Sequence, residues 1–409
     1  MLVKNGTAFI DGGFVRADVR VEAGKIAEIG ELSVQAGEEV RDAAGLFVLP
    51  GFVDIHIHAY AGADCMRGEA DVRRMSEGLL KTGVAAFVPT TMSAYPEETN
   101  RALLGIQAVK DKPCEHGAAV LGAHMEAPFL CPKYKGAQLE ECLCLPTVEA
   151  YETMTRGVDC VRMMTLAPEL TGALEMVAYL KAHGVVTCAA HSNATAEDVH
   201  AAADRGLTQI THLFNAQSPL HHRKPGVPGA GLADDRIIVQ VIADGLHLHP
   251  DVLRIAALCK GAKGMALISD SMEAAGMSDG QYDLGGQAVF VRNGEARLAD
   301  GVIAGSTLVL HRAVRNMIRL AHIAPETVIP MATSTPADSI GAKGYGRIQP
   351  GACGVLTLMD AADEIGPHSM LATGIFKLRG ESFRGKKLDT VSVQTGKVKA
   401  VEPMADQQE

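Results

Sequence analysis

Apolar and polar positions alternate with a two-residue period over much of the first fifty residues. Short apolar runs at 8–10, 15–21 and 26–29 are separated by Asp11-Gly12-Gly13 and Ala23-Gly24-Lys25. Glycine turns between alternating runs mark hairpins, because glycine accepts the positive φ that tight turns need. Residues 1–49 therefore read as a small β unit. From residue 50 the rhythm becomes strand followed by helix. Apolar strand segments fall at 52–59, 85–91, 119–127, 160–167, 184–192, 209–216, 239–247 and 265–271. Helix-compatible segments lie between most of them, at 70–81, 97–110, 171–183, 196–205 and 250–260. Eight strands with helical crossovers predict an α/β fold, a (β/α)8 TIM barrel. A doubly wound sheet would need a Gly-rich phosphate turn after an early strand, and none is visible. Further helices are predicted at 307–321 and 325–331. After Pro350-Gly351 the pattern returns to strands, at 355–359 and 388–401. The economical arrangement joins these to the N-terminal strands. It predicts a small β-sandwich domain formed by both chain termini (residues 1–49 and 351–409) beside a barrel domain of residues 50–350.

Composition narrows the partners. The chain has 409 residues, a formal net charge of −10, 4% aromatics and no Trp. That balance argues against nucleic acid or an anionic membrane surface as a partner, while a local basic pocket can still bind a small anion. No apolar run approaches a bilayer span, and the N-terminal MLVKNGTAFIDGG carries no sustained apolar stretch of a signal peptide. Nine cysteines without a CxxC pair read as reduced thiols of a cytoplasmic protein.

Barrel enzymes carry their chemistry at the C-terminal ends of the strands. Strand one ends in His56-Ile57-His58, two imidazoles on one side of a strand because side chains alternate. On spacing alone this pair could equally be polar residues on a wet strand face. Strand three ends in His124-Met125-Glu126, strand five in His191, strand six in His212, strand seven in Asp244 and His247, and strand eight in Asp270. A metal-ligand residue type thus recurs at the same end of six of the eight predicted strands, which singles out a metal site. Nitrogen and oxygen donors without a cysteine cluster suit zinc, iron, manganese or cobalt alike. A catalytic metal lowers the pKa of water toward neutrality, and Asp270 is positioned to carry that water's proton. The competing role for Asp270 is a helix N-cap ahead of Met272-Glu273-Ala274. After strand six, Asn215-Ala216-Gln217 precedes His221-His222-Arg223-Lys224, a basic run in an acidic chain. It reads as a solvated loop or as an anion clamp for phosphate, with Arg223 as the forked donor and His247 converging.

The segments PGFVDIHIHAYAGAD, GAHMEAPFLCPKYKGA, AAHSNAT, THLFNA, HHRKPGVPGAGL, IADGLHLHP and ISDSMEAAG occur in that order. In this the chain resembles the N-acetylglucosamine-6-phosphate deacetylases of the amidohydrolase superfamily, over nearly its whole length. The resemblance implies that Glu126, His191 and His212 hold the tighter-bound metal. It implies a second position at His56 and His58, bridged by Glu126 and approached by Asp270. Some members lack the His-x-His and hold one metal, so one or two divalent ions per subunit are implied, zinc foremost. Asn215, Ala216, Arg223 and His247 match positions that bind the sugar phosphate. The implied reaction is hydrolysis of the acetyl group from N-acetylglucosamine 6-phosphate in amino-sugar catabolism, by a homodimer whose neighbouring subunit can complete the phosphate site. Three departures stand in the substrate region, one of them Gln217 where the family commonly has Met. Ala127 replaces the glycine of the usual HxEGPF, and Gln138 stands where the family has a substrate-contacting histidine. Gln138 donates a hydrogen bond but carries no proton to give. N-acetylgalactosamine 6-phosphate, or another amide in a shifted pocket, therefore stays open as the substrate. Strand four, VRMMTLAPE, has no lysine, against the dihydroorotase and urease branches. A silent scaffold of the same fold would have lost ligands, and this chain keeps the full set.

Overall fold

The computed structural model describes residues 1–360 and the backbone of 372–376. Its centre is a parallel barrel of β1 (Phe52–Ile57), β2 (Val84–Thr91), β3 (Ala123–Met125), β4 (Val161–Leu166), β5 (Val186–Ala189), β6 (Leu207–Ile210), β7 (Ile238–Ile242) and β8 (Met265–Ile268). Each strand pairs in parallel with the next in sequence. Just past the strand ends, β8 and β1 are joined by the Asp270 N–H to the His56 carbonyl at 2.9 Å and the His58 N–H to the Ser271 carbonyl at 3.1 Å. β1 and β2 are buried along their whole length, as expected of strands covered on both faces.

The crossovers are α1 (Glu69–Leu80), α2 (Pro96–Asp111), α3 (Val148–Met154), α4 (Ala173–Ala182), α5 (Ala196–Arg205), α6 (Gly226–Ala233) and α7 (Pro250–Gly264). After β8 come α8 (Leu310–Arg319), α9 (Pro325–Ala332) and α10 (Ser334–Ser339). α1 buries Val72, Met75, Ser76, Leu79 and Leu80, the one-face spacing of an amphipathic helix. α5 begins with a capping box between Thr195 and Asp198. α6 follows the basic run and escapes a periodicity reading because it is GVPGAGLA, rich in glycine. At Gly231 a Cβ would come within 2.3 Å of Ile210 Cδ1, so glycine lets this helix lie close on β6.

Three sequence expectations change. The run 15–21 is not one strand: it divides at Ala17 into Gly13–Arg16 and Asp18–Glu22, which belong to different sheets. The segment 119–127 is broken at Leu121-Gly122, where Gly122 turns with φ 135°. Strands 184–192, 209–216 and 239–247 end earlier than their apolar runs. Past β5 and β6 the backbone turns left-handed, at His191 (φ 49°) and His212 (φ 32°), and the regular strands end.

The N-terminal residues build two sheets. One runs Lys25–Gly30, Asp18–Glu22, Leu2–Lys4, Val40–Asp42; the other runs Ala372–Phe376, Leu356–Asp360, Leu46–Pro50, Thr7–Ile10, Gly13–Arg16. Val3, Val19, Val21 and Ile26 pack with Val48, Ile348, Leu356 and Leu358 in one apolar cluster, so residues from both sides of the barrel share a core. The expected strand at 388–401 lies outside the described residues. A three-stranded antiparallel sheet follows β8: Gly280–Leu284, Gln287–Arg292, Glu295–Leu298. Its turns are Gly285-Gly286 (φ 59° and 82°) and Asn293-Gly294 (φ 52° and 77°), two positive φ values each, as two-residue hairpins require. Among the described residues no helix is long and apolar enough to cross a membrane, and the nine cysteines are free thiols.

Candidate metal centre and active site

The C-terminal ends of the barrel strands open into a cavity of about 390 Å³. Its floor is a cluster of donors. His56 and His58 leave the end of β1 with their Nε2 atoms 3.4 Å apart. Glu126 follows β3 directly. Its Oε1 lies 2.9 Å from His212 Nε2, 3.3 Å from His191 Nε2 and 3.5 Å from His56 Nε2, and its Oε2 lies 3.4 Å from His58 Nε2. All five side chains are buried. Two donor groups result, Glu126–His191–His212 and His56–His58–Glu126, each with its ligand atoms within 4.8 Å of one another.

The other ring nitrogens explain why these five converge. His58 Nδ1 is 2.9 Å from the Thr90 carbonyl, His191 Nδ1 2.9 Å from the Tyr134 carbonyl, and His212 Nδ1 3.2 Å from the Asn215 carbonyl. His56 Nδ1 faces Gln240 Oε1 at 3.4 Å. Each Nδ1 meets an oxygen that can only accept, so Nδ1 holds a proton and Nε2 is the nitrogen left to bind a cation. Four such Nε2 atoms and a carboxylate facing one another, with no donor between the rings, are a set that a divalent cation satisfies and that is costly without one. The residues present thus fit a divalent metal.

Electrostatics agree. Burial pushes His56 down to about 4, so its imidazole is neutral, as a ligand must be. Burial also works against a charged His58, but the hydrogen bond to Asp270 and the Glu126 charge raise it to about 9; a cation at Nε2 replaces that proton. Burial raises Glu126, yet the surrounding histidines outweigh it and hold the carboxyl well below its usual range.

Asp270 stands just after β8, with Oδ1 3.1 Å from His58 Nε2 and 3.4 Å from His56 Nε2. Burial would raise its carboxyl, but His56 and His58 hold it down at about 2, so it is ionised at neutral pH. His191, His212 and Asp270 all have positive φ (49°, 32° and 48°), a conformation non-glycine residues seldom adopt. Strain of this kind gathers at active sites and ligand clamps.

The remaining predicted residues divide. Asn215, Ala216 and His247 line the cavity. Asn215 Nδ2 donates to the His212 and Leu213 carbonyls, both at 3.2 Å, and His247 Nδ1 lies 2.6 Å from Asp244 Oδ2. Gln138 also lines the cavity but is engaged: its Oε1 accepts from the Ser93 N–H at 2.7 Å and its Nε2 donates to Glu126 Oε2 at 2.8 Å. Arg223 is exposed and outside the cavity lining; its Nη1 donates to His222 Nε2 at 2.7 Å. His124, flagged with Glu126, points elsewhere. It is buried with Nε2 2.8 Å from Thr165 Oγ1 and joins neither donor group.

Sequence reasoning passed over several participants. Lys133 and Tyr134 line the cavity from the loop after β3, and Leu284, Val302 and Ile303 close it from the side of the three-stranded sheet. The Gly-Gly and Asn-Gly turns could have revealed that sheet. Nothing in a sequence marks the Tyr134 carbonyl, since every residue has one.

Residues 47–393 match the Amidohydrolase family. An N-acetylglucosamine-6-phosphate deacetylase of Vibrio furnissii is 39% identical over 322 residues, 78% of this chain and 80% of its own length. An N-acetylgalactosamine-6-phosphate deacetylase of Escherichia coli O157:H7 is 37% identical over 346 residues, 84% of this chain and 90% of its own. The crystal structure of N-acetylglucosamine-6-phosphate deacetylase from Thermotoga maritima superposes with a TM-score of 0.80 at 31% identity, covering 92% of this chain and all of that one. With the barrel and its donor cluster, these likenesses lead to one assignment: the chain belongs to the N-acetylglucosamine-6-phosphate deacetylase family of the amidohydrolases.

Proposed function

We propose that the protein hydrolyses N-acetylglucosamine 6-phosphate to glucosamine 6-phosphate and acetate. The observation that carries this reading is the convergence of Glu126, His191, His212, His56, His58 and Asp270 at one cavity at the strand ends. When bound, a divalent metal supplies a Lewis acid that makes water nucleophilic near neutral pH and polarises the acyl oxygen. We take zinc as the ion, held by Glu126, His191 and His212, with a second position at His56, His58 and Glu126.

The chain's own groups do the rest. The ionised Asp270 accepts the proton of the attacking water and returns it to the amine nitrogen as the C–N bond breaks and acetate leaves. One N–H of Gln138 holds Glu126; the other faces Met92 Sδ at 3.7 Å, a weak acceptor that an acetamide oxygen displaces. Asn215, the main chain at Ala216 and His247 receive the phosphate end, so remote binding energy positions the amide. Arg223, exposed and outside the cavity lining of its own chain, reaches the phosphate of a neighbouring chain in a homodimer. The free thiols suit the cytoplasm.

The similarity to the Escherichia coli enzyme favours a second reading, N-acetylgalactosamine 6-phosphate as substrate. Acetate release from both sugar phosphates and their unphosphorylated forms, with defined metals, tests both. Preference for the gluco phosphate is expected; a galacto preference establishes the second reading. Turnover of neither phosphate, with an unphosphorylated amide hydrolysed instead, would overturn both.

A further inference from the structure

Below the donor cluster a polar seam crosses the barrel interior. Gln209 on β6 and Gln240 on β7 are both 0% exposed. Gln209 Nε2 donates to the Ser339 carbonyl at 3.4 Å, and Gln240 Nε2 donates to Gln209 Oε1 at 2.9 Å. Gln240 Oε1 is left facing His56 Nδ1 at 3.4 Å. Ser339 ends α10, whose Thr335 and Asp338 line a cavity with Pro50 and Ile238, where β1 and β7 begin. The seam therefore runs from the closed end of the barrel to the metal centre at the open end.

An amide has a donor end and an acceptor end, and its hydrogen-bond partners decide which faces where. A backbone carbonyl only accepts. The Ser339 carbonyl therefore draws the NH2 of Gln209, which turns Gln209 Oε1 toward Gln240. That oxygen draws the NH2 of Gln240, which turns Gln240 Oε1 toward His56. Reversing either amide sets oxygen against oxygen in a buried site. His56 differs here from the other three histidines, whose Nδ1 partners are main-chain carbonyls of Thr90, Tyr134 and Asn215. Its partner alone is a side chain, and so alone can be removed by substitution.

We propose that Gln209 and Gln240 are positioning residues, a two-amide relay that sets His56 in its Nδ1–H tautomer and thereby makes Nε2 a ligand of the second metal position. The relay rests on the proposed metal centre only for its consequence; the tautomer itself is read without metal, against the competing pull of Glu126 and Asp270 on Nε2. Side-chain 15N NMR of selectively labelled apoprotein, with His56→Asn to assign the signal, reads the tautomer directly. The wild type is expected to show Nδ1–H at His56, and Gln240→Met a mixture or the Nε2–H form. Zinc titration against a competing chelator then reads the two ions separately. Gln240→Met is expected to weaken the second ion about ten- to a hundredfold, as loss of outer-shell partners does, with the first ion unchanged. Gln209→Met, which frees the Gln240 amide without touching His56, is expected to act in the same direction and covers the case in which Gln240→Met fails to fold. An Nε2–H tautomer at His56 in the wild type overturns the relay, as does equal loss of both ions, or loss of neither, in both variants. An Nδ1–H tautomer in a protein that binds no zinc overturns the metal centre and leaves the relay standing.

Discussion

Replacing Asp270 by Asn removes a charge and changes little else. The backbone there is held by the Asp270 N–H to the His56 carbonyl and by the Ser306 N–H to the Asp270 carbonyl, at 2.9 and 2.8 Å. Its φ of 48° is one that Asn tolerates as readily as Asp, so Asp270→Asn isolates the carboxylate where Asp270→Ala would add backbone strain. General acid–base catalysis contributes about 10²–10⁴-fold. The lining of the cavity favours the upper end of that range. Among its described carboxylates only Glu126 accompanies Asp270, and Glu126 is committed to four histidines and Gln138. Of the cavity histidines, His58, His191 and His212 are turned by their Nδ1 contacts to present Nε2 to the metal, and His247, paired with Asp244, is assigned to the phosphate end. The expected loss is about 10³–10⁴ in kcat, equivalent to about 4–5.5 kcal/mol of barrier. Steady-state acetate release, with metal content by mass spectrometry and melting temperature on the same preparation, reads it. A variant that keeps its metal and retains a tenth or more of wild-type kcat would refute the proton-carrier role.

Two more outcomes are expected. Arg223→Ala raises KM for the sugar phosphate by tenfold or more with little change in kcat, and leaves an unphosphorylated analogue unaffected; equal effects on both would remove Arg223 from the phosphate site. Asp18 in the N-terminal sheets accepts from the Lys4 ammonium at 2.9 Å and from the N–H groups of Asn5 and Leu32 at 2.9 and 3.0 Å. Burial raises its carboxyl, but these donors outweigh it and hold it below the ordinary 3.8. The unfolded chain then takes up the proton first, so the stabilisation is complete above about pH 4 and is lost as pH falls through the native value. Asp18→Asn should cost about 1.5–3 kcal/mol at pH 7, and urea melts should show the gap closing in acid; a gap independent of pH would count against this carboxylate.

The eight barrel strands and most of the helices are legible because each buries a regular stripe or run. α5, expected at 196–205, is Ala196–Arg205 in the structure, marked by its Thr195 cap and an Arg-Gly end. α3 is seven residues long, and α6 is rich in glycine, so neither carries a helical repeat strong enough to read. The donors were legible for a topological reason: in a barrel, the ends of parallel strands must meet on one face. His124 shows the limit of that reasoning, since an even offset along a strand places two residues on one side of it, yet His124 lies deeper than Glu126 and bonds Thr165 instead.

The order of residues specified the barrel, a β unit ahead of it and the residue types gathered at one end. Those follow from periodicity, which reports how a side chain faces along its own strand. Assembly of the barrel decided how each group is used. Gln138 clasps Glu126 rather than standing free in the pocket, and Arg223 stays outside the cavity. The Nδ1 atoms of His58 and His191 are turned by carbonyls at Thr90 and Tyr134, and that of His56 by the amide of Gln240. These are contacts between segments 32, 57 and 184 residues apart, and no local pattern encodes them, because a hydrogen bond depends on distance in space and not on distance along the chain.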